Sequence, residues 1–172
     1  MELLIPGLIL VAIMAWASTR IKRNASAAFD AERVETDDFV IEKPEGFLHV
    51  LNDNSGLLFR AYSREFGTVG RSDLRQATIE VERHLGADLD TVLTSIKGSS
   101  ESMGSGSTYM DAGEKAATAR SVHIRDGAEF ETVHKFVSRG GDVIEARGRV
   151  LSEHKDAHLR KIEEMLETLR VK

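Results

Sequence analysis

The pattern of hydrophobic and polar positions divides the chain into an apolar start and a longer, amphipathic remainder. Residues 3–19 carry no charge, and the basic residues Arg20, Lys22 and Arg23 end the apolar run. Such a segment predicts one membrane-spanning helix with its basic flank on the cytoplasmic side. As a helix it would extend roughly 25 Å, slightly less than the ~30 Å hydrocarbon core of a bilayer. We therefore predict a transmembrane anchor over residues 1–24, in the inner (cytoplasmic) membrane, with the N-terminus outside and the C-terminal domain in the cytoplasm.

Two other interpretations of this segment stay open. Ala15-Trp16-Ala17 has the small-x-small pattern of a signal-peptidase site, although no basic stretch precedes the apolar run as it does in most signal peptides. The segment could also be a helix buried in a soluble core, although it is apolar on all faces and lacks the amphipathic pattern of such helices.

Alternation of apolar and polar residues predicts β-strands in the remainder. Ala77, Ile79 and Val81 alternate with polar residues, as in a strand with one face in water. The segments predicted as strands are 39–41, 57–66, 77–82, 121–125, 129–138 and 142–151. Asp126-Gly127 and Gly140-Gly141 separate the last three as tight turns, which predicts a three-stranded antiparallel meander.

Two segments have the 3.6-residue period of amphipathic helices. Their apolar positions are Leu89, Val92, Leu93 and Ile96 in the first segment, and Leu159, Ile162, Leu166 and Leu169 in the second. Asp88 is a suitable N-cap for the first helix. Strands and helices together predict an α+β domain over residues 37–172, an antiparallel sheet packed with two helices. A linker or an extension of the first helix is expected over residues 25–36.

Composition excludes several classes of function. Residues 25–172 hold 20 basic and 27 acidic residues, a net charge of −7, so we expect no nucleic acid as a partner. The chain has no cysteine, which excludes disulfides, thiolate metal sites and cysteine nucleophiles.

Two histidines are candidates for a metal site. His154 and His158 lie four residues apart on the last predicted helix, with Glu153 beside them, so both imidazoles could reach one metal ion. No sequence motif identifies a third metal ligand, and the HExxH pattern of zinc proteases is absent. Two solvated histidines are the favoured interpretation, and we predict no metal site, no cofactor and no catalytic residues.

His134 is a candidate of a different kind, since it lies in a predicted strand among Phe130, Thr132 and Phe136. A histidine on an apolar face is usually a hydrogen-bonded core residue. A catalytic base is the alternative, but no motif places a serine or an aspartate to complete a triad.

The Gly/Ser-rich segment 98–107 has no periodicity and predicts a flexible loop. A phosphate cradle is the alternative, but the Gly-Lys-Ser/Thr ending of such loops is absent. The aspartate pairs Asp88/Asp90 and Asp37/Asp38 are explained by helix capping and by exposure to solvent, without a catalytic role.

The two ends of the predicted domain resemble the PsbP-like fold. The resemblance rests on Phe39-Val-Ile-Glu-Lys-Pro-Glu-Gly-Phe47 at the entry, and on a hairpin, a helix and Leu169-Arg-Val171 at the exit. It covers residues 36–172, with Thr168-Leu169 where the family often has Ser-Phe. It implies a non-catalytic accessory role, since members dock on larger assemblies, including photosynthetic complexes, and stabilise them. None of the family's binding residues can be matched in this chain.

We expect a membrane-anchored, non-catalytic accessory or binding subunit that docks on or stabilises a membrane protein complex. Its partners would be that complex and the lipid bilayer, contacted through residues 3–19. One alternative is a membrane-tethered enzyme that uses the histidines. Another is a small-ligand or lipid-binding module with a pocket between sheet and helices, lined by Phe130, Phe136 and Ile144.

Overall fold

The computed structural model describes residues 4–51, 53–67, 74–104 and 106–172; within the N-terminal helix, the side chains of residues 4–10 and 21–25 fall outside the description. The described residues form three α-helices, one 3-10 turn and eleven β-strands. The helices are α1 (Leu4–Ala27), α2 (Leu89–Ser99) and α3 (Lys155–Thr168), and the 3-10 turn covers Ser152–His154. The strands are β1 (Glu32–Glu35), β2 (Phe39–Lys43), β3 (Phe47–His49), β4 (Phe59–Ser63), β5 (Ala77–His84), β6 (Ser102–Met103), β7 (Ser107–Asp111), β8 (Glu114–Arg125), β9 (Ala128–Arg139), β10 (Asp142–Leu151) and β11 (Arg170–Val171).

The strands form two antiparallel sheets. The large sheet has the order β3-β4-β5-β10-β9-β8-β6, with β7 also paired to β8, and the small sheet has the order β1-β2-β11. The turns Asp126-Gly127 and Gly140-Gly141 connect β8, β9 and β10, and all four turn residues have positive φ, between 53° and 88°. The predicted meander and the predicted α+β class are therefore confirmed.

One face of the large sheet packs against α3. In β10, the side chains of Ile144, Ala146 and Val150 point to this face and are at most 3% exposed. Gly148 lies directly under Ile162 of α3, where a Cβ on the glycine would come within 2.0 Å of the isoleucine Cγ2. Helix and strand approach this closely only because position 148 has no side chain.

The described residues cover the opposite face of the large sheet only in part. Asp88 caps α2, its carboxylate accepting a 2.7 Å hydrogen bond from the backbone N–H of Thr91, and the helix buries Leu89 and Val92 against the sheet. The sheet residues beneath them are Ala117, Ala119, Phe136 and Val143. Beyond α2 this face carries polar and charged side chains, and it contains the candidate site.

The segment 98–107, predicted as a flexible loop, holds more structure than its composition indicates. Its two sides are β6 and the start of β7, both paired with β8, while residue 105 lies outside the described residues. Backbone pairing orders this segment, and pairing of that kind leaves no side-chain periodicity in the sequence. β8 likewise begins at Glu114, before the strand predicted over 121–125, and β1 lies within the segment 25–36.

The N-terminal segment is helical, as α1, but the predicted transmembrane anchor over residues 3–19 is not supported. No helix among the residues whose side chains the structure describes is long and apolar enough to cross a membrane. The described apolar run in α1 covers only residues 11–17, whereas a span needs about 20 residues. Residues 1–3 and the side chains of residues 4–10, which belong to the same prediction, lie outside the description.

Candidate functional site

Polar side chains from four strands meet on the part of the large sheet that α2 leaves open. Because side chains alternate along each strand and the register aligns the strands, one face collects them. We call this set the polar face; its members are Glu80, Glu82 and His84 of β5, Glu145 and Arg147 of β10, His134 of β9 and Ser121 of β8. The register places Glu82 opposite Glu145, and Glu80 opposite Arg147.

Glu145 is the buried centre of the polar face, with only 1% of its surface exposed. One carboxylate oxygen, Oε1, lies 2.7 Å from Nδ1 of His134, and the other, Oε2, lies 2.8 Å from Nε2 of His84. Nη1 of Arg147 is 3.4 Å from Oε2. A buried carboxylate is tolerated only when its oxygens are bonded and its charge is balanced, and these three neighbours meet both conditions.

A chain of hydrogen bonds leads from β8 across β9 to Glu145 on the same face of the sheet. Oγ of Ser121 lies 2.8 Å from Nε2 of His134 and 2.9 Å from Nε2 of His123. A carboxylate only accepts, so His134 donates to it through Nδ1. Ser121 connects the two histidines through its hydroxyl group.

Arg147 neutralises the carboxylates of β5. Its Nε donates to Glu80 across 2.8 Å and its Nη1 to Glu82 across 2.9 Å. Glu80 also lies 3.8 Å from Nε of Arg60 on β4. These pairs are partly sheltered from water, so they are screened less than pairs on the outer surface.

The pKa values of two groups on the polar face reflect this geometry. Burial by itself would raise the pKa of Glu145, but the hydrogen bonds from His134 and His84 and the nearby Arg147 outweigh it and lower the pKa to about 2. The hydrogen bond to Glu145 raises the pKa of His84 above its usual value, against the effect of burial. Glu145 is therefore a permanent anion at neutral pH, and it favours the charged form of His84.

Three of these side chains have the chemistry of a metal site. Among the described residues, Glu82, His84 and Glu145 form the one group of three potential ligands whose ligand atoms lie within 4.8 Å of one another. Arg147, however, already bonds Glu82 and lies beside Glu145. A divalent cation would have to displace this guanidinium group. The arrangement therefore suits neutralisation by Arg147 better than metal binding.

Ser121, His134 and Glu145 are connected like the catalytic triad of serine hydrolases. Ser121 is nevertheless only 1% exposed, in the middle of β8. The strand is paired on both sides there, with Met103 of β6 and Thr132 of β9. Its backbone therefore offers no free pair of N–H groups for an oxyanion hole, and a substrate has no path to the hydroxyl. This geometry suits a buried polar network.

The structure separates the two histidines considered as metal ligands. His154 lies in the 3-10 turn before α3, with Nε2 3.8 Å from the Glu153 carboxylate. His158 lies in α3 and is 8% exposed, with Nε2 3.1 Å from Oε1 of Gln76 and its ring edge-on to Phe47. Neither belongs to a group of three potential ligands in the described part of the chain. His158 is also not solvated, because α3 turns it toward β3.

The pocket expected between Phe130, Phe136 and Ile144 is not formed. Phe130 and Phe136 share the face of β9 that carries His134, whereas Ile144 points to the α3 side. The sheet itself separates them.

Two of the aspartates noted in the sequence have structural roles. Asp88 caps α2, and the carboxylate of Asp38 pairs with the guanidinium group of Arg83 across 2.8 Å.

Sequence reasoning noticed His134 but missed its partners, Ser121 and Glu145. A signal was present, because Glu145, Arg147 and Arg149 alternate along the last strand of the predicted meander. Charged residues in such a position must find partners on the neighbouring strands. With the turns at Asp126-Gly127 and Gly140-Gly141, the register brings Ser121 and Glu145 diagonally next to His134.

Comparison with known proteins finds similarity at the level of the fold alone. No protein-family model matches the chain, and no curated protein sequence matches it significantly. The solution structure of cyanobacterial PsbP (CyanoP) from Synechocystis sp. PCC 6803 is similar with a TM-score of 0.58 at 12% identity, covering 84% of this chain and 94% of that one. The crystal structure of LpqN, involved in cell envelope biogenesis of Mycobacterium tuberculosis, is similar with a TM-score of 0.59 at 12% identity, covering 83% of this chain and 90% of that one. The chain therefore has the PsbP-like fold that its sequence resembles.

Proposed function

We propose that this protein is a non-catalytic accessory protein, held at the inner membrane by α1, whose domain docks on a membrane protein complex and stabilises it from the cytoplasmic side. The observation that carries the proposal is the exposed apolar surface of α1. The side chains of Val11, Ile13, Met14 and Trp16 are 57–65% exposed, although they are large and apolar. A contiguous apolar surface of this kind favours a bilayer or a partner protein as its environment.

The part of α1 where the apolar run ends suits the headgroup region of a bilayer. The guanidinium group of Arg20 lies 5.2 Å from the ring centre of Trp16, so a cation and an indole stand together where the apolar run ends. Tryptophan and arginine are both favoured at the boundary between acyl chains and water. The basic residues Lys22 and Arg23 follow in the sequence and favour the cytoplasmic side for this end.

The domain supports a binding role over a catalytic one. Its Ser121-His134-Glu145 arrangement is closed to substrate, and Arg147 already neutralises the group of potential metal ligands. The structure of LpqN is described as that of a protein involved in cell envelope biogenesis. A role at the envelope is in keeping with an apolar helix attached to such a domain.

Trp16 allows a direct test of membrane attachment, because it is the only tryptophan in the chain. Addition of phosphatidylethanolamine/phosphatidylglycerol vesicles to the full-length protein should shift its emission to the blue, and brominated acyl chains should quench it. Ile13→Lys should abolish both effects. Leu85→Lys, at an apolar residue that is 76% exposed on the domain, is the matched control and should change neither. Unchanged emission of the unaltered protein would refute attachment through α1.

Docking and orientation need separate experiments. Purification in mild detergent through a tag at Lys172 should recover stoichiometric membrane proteins, and a clean monomer at native expression would refute the docking role.

The orientation is tested by labelling. Because the chain has no cysteine, Lys172→Cys gives a unique thiol. A membrane-impermeant maleimide should label it only after the cells are permeabilised. Labelling of intact cells would contradict a cytoplasmic domain.

A further inference from the structure

We propose that the protein binds the oxyanion group, a carboxylate or a phosphate, of a small organic molecule in a cationic pocket between β8, β9 and β10. The pocket has a volume of about 310 Å³ and is lined by His123, Ile124, Arg125, Phe130 and Arg149. It lies at the end of the open sheet face, beyond the polar face. The proposal is independent of the membrane role, because it concerns a different surface of the molecule.

Arg149 is the centre of the pocket. Within the described part of the chain, its guanidinium group makes no hydrogen bond and no ion pair within 4.0 Å. Arg147, two residues earlier on the same face, bonds Glu80 and Glu82 instead. A half-buried arginine without a protein partner carries an uncompensated charge, which favours an added anion.

The hydroxyl group of Thr132, which lies next to Arg149, is a second polar group without a partner among the described residues. Thr132 is 1% exposed, and among the described residues its hydroxyl Oγ1 is buried without a hydrogen-bond partner. The register places it between Ser121 of β8 and Arg149 of β10, with its side chain on their face of the sheet. Buried hydroxyl groups are rarely left unbonded. Thr132 does not itself line the pocket, but it lies directly opposite Arg149 in the strand pairing.

The charges around the pocket favour an anion. Burial lowers the pKa of Arg149, and the guanidinium groups of Arg147, Arg125 and Arg60 lower it further, against the attraction of Glu80. Glu80 is already shared by Arg147 and Arg60.

The flanking cation Arg125 can take part without losing a strong partner. Arg125 has only Asp126 as an ion-pair partner among the described residues, at 3.6 Å and with both side chains more than 70% exposed. His123, bonded to Ser121, lies beside it; burial and the nearby charge of Arg149 lower the pKa of His123, so it offers a hydrogen bond and not a charge at neutral pH. An oxyanion would relieve the mutual repulsion of Arg125 and Arg149.

The walls of the pocket indicate what the anionic group is attached to. Phe130 and Ile124 supply apolar surface beside the cations, and the volume exceeds what a bare phosphate ion needs. A guanidinium group binds carboxylate or phosphate through two parallel hydrogen bonds. The ligand class is therefore a small organic acid or phosphate ester with an apolar part.

Calorimetric titration of the full-length protein tests the inference with four probes. Phenyl phosphate and benzoate distinguish the two oxyanions, inorganic phosphate lacks the apolar part, and phenol lacks the charge. We expect phenyl phosphate or benzoate to bind more tightly than inorganic phosphate, and phenol not to bind. No binding of either organic anion, or equal binding of phenol, would overturn the proposal.

Variants locate the binding. Arg149→Gln should weaken it about tenfold or more, because a charge-assisted pair is lost, and Thr132→Val should weaken it by a smaller factor. Arg125→Gln is a second test, since its exposed side chain can be changed without unfolding the sheet. Arg160→Gln, on the outer side of α3 and 83% exposed, is the matched control and should bind as the unaltered protein does. Equal binding by all four variants would refute the site.

Discussion

Glu145 shows how one buried side chain can organise its surroundings. It is a carboxylate with almost no exposure to water, and it persists because two imidazoles and a guanidinium group surround it. Removing its charge would leave these three groups without their common acceptor. The stability of the polar face should therefore depend on the protonation state of this residue.

Acid should destabilise the protein partly through Glu145. Its pKa is about 2 in the folded protein against an ordinary value of 4.5. As the pH falls between these values, the unfolded chain binds a proton at this residue that the folded protein does not, so stability is lost with decreasing pH. Glu145→Gln should be less stable at neutral pH and should lack this part of the acid sensitivity. Urea titrations from neutral pH to about pH 2 measure both effects, and parallel pH profiles of the two proteins would contradict the assignment.

Ser121 provides a test that separates structure from catalysis. Ser121→Ala removes the partner of both His123 and His134, which should cost about 1–3 kcal/mol of unfolding free energy, since buried groups lose their hydrogen bonds. Ser107→Ala is the control, because its hydroxyl bonds Thr118 on an exposed edge, and it should change little. An unchanged free energy of unfolding for Ser121→Ala would contradict the buried network.

At the scale of elements, the contact between α3 and β10 depends on Gly148. Gly148→Ala places a methyl group against Ile162, so we expect a loss of about 1–3 kcal/mol from overpacking. Ile162→Ala destabilises by itself, because Ile162 is fully buried. The double variant should nevertheless lose less unfolding free energy than the sum of the two single losses, which a double-mutant cycle would measure. Gly98→Ala in α2 is the control: it meets no atom within 4 Å and should stabilise by about 0.5–1 kcal/mol. Additive losses in the cycle would show that Gly148 and Ile162 do not interact.

The same elements show which features local pattern can predict. β10 alternates between apolar and charged residues and was predicted over its observed range, 142–151. The helix around Leu89 and Val92 was predicted with its N-cap. β6 and β7 were missed, because neighbouring backbone on β8 orders them and their own side chains show no period.

At the scale of the whole molecule, α1 should be dispensable for the stability of the domain. Its described side chains over residues 11–20 are almost all exposed, whereas Phe29, just beyond it, is fixed by the backbone bond from Gly46 and by Arg64 over its ring. Deletion of residues 1–27 should therefore leave the thermal midpoint unchanged and abolish binding to vesicles. Differential scanning calorimetry and vesicle flotation measure these outcomes, and a marked fall in the midpoint would show that α1 packs on the domain.

The sequence by itself determined the α+β class, the meander, the two amphipathic helices and the acidic character of the domain, because periodicity, turn residues and charge are local properties. Only the tertiary structure decided which residues meet. The pairing of β5 with β10, far apart in the chain, brings Glu82 and His84 to Glu145, and the partial cover by α2 leaves the polar face open. It also decided that Ser121 is buried and that Arg149 lacks a partner among the described residues. Such outcomes depend on strand order and burial, which arise from contacts between distant segments and leave little local trace in the sequence.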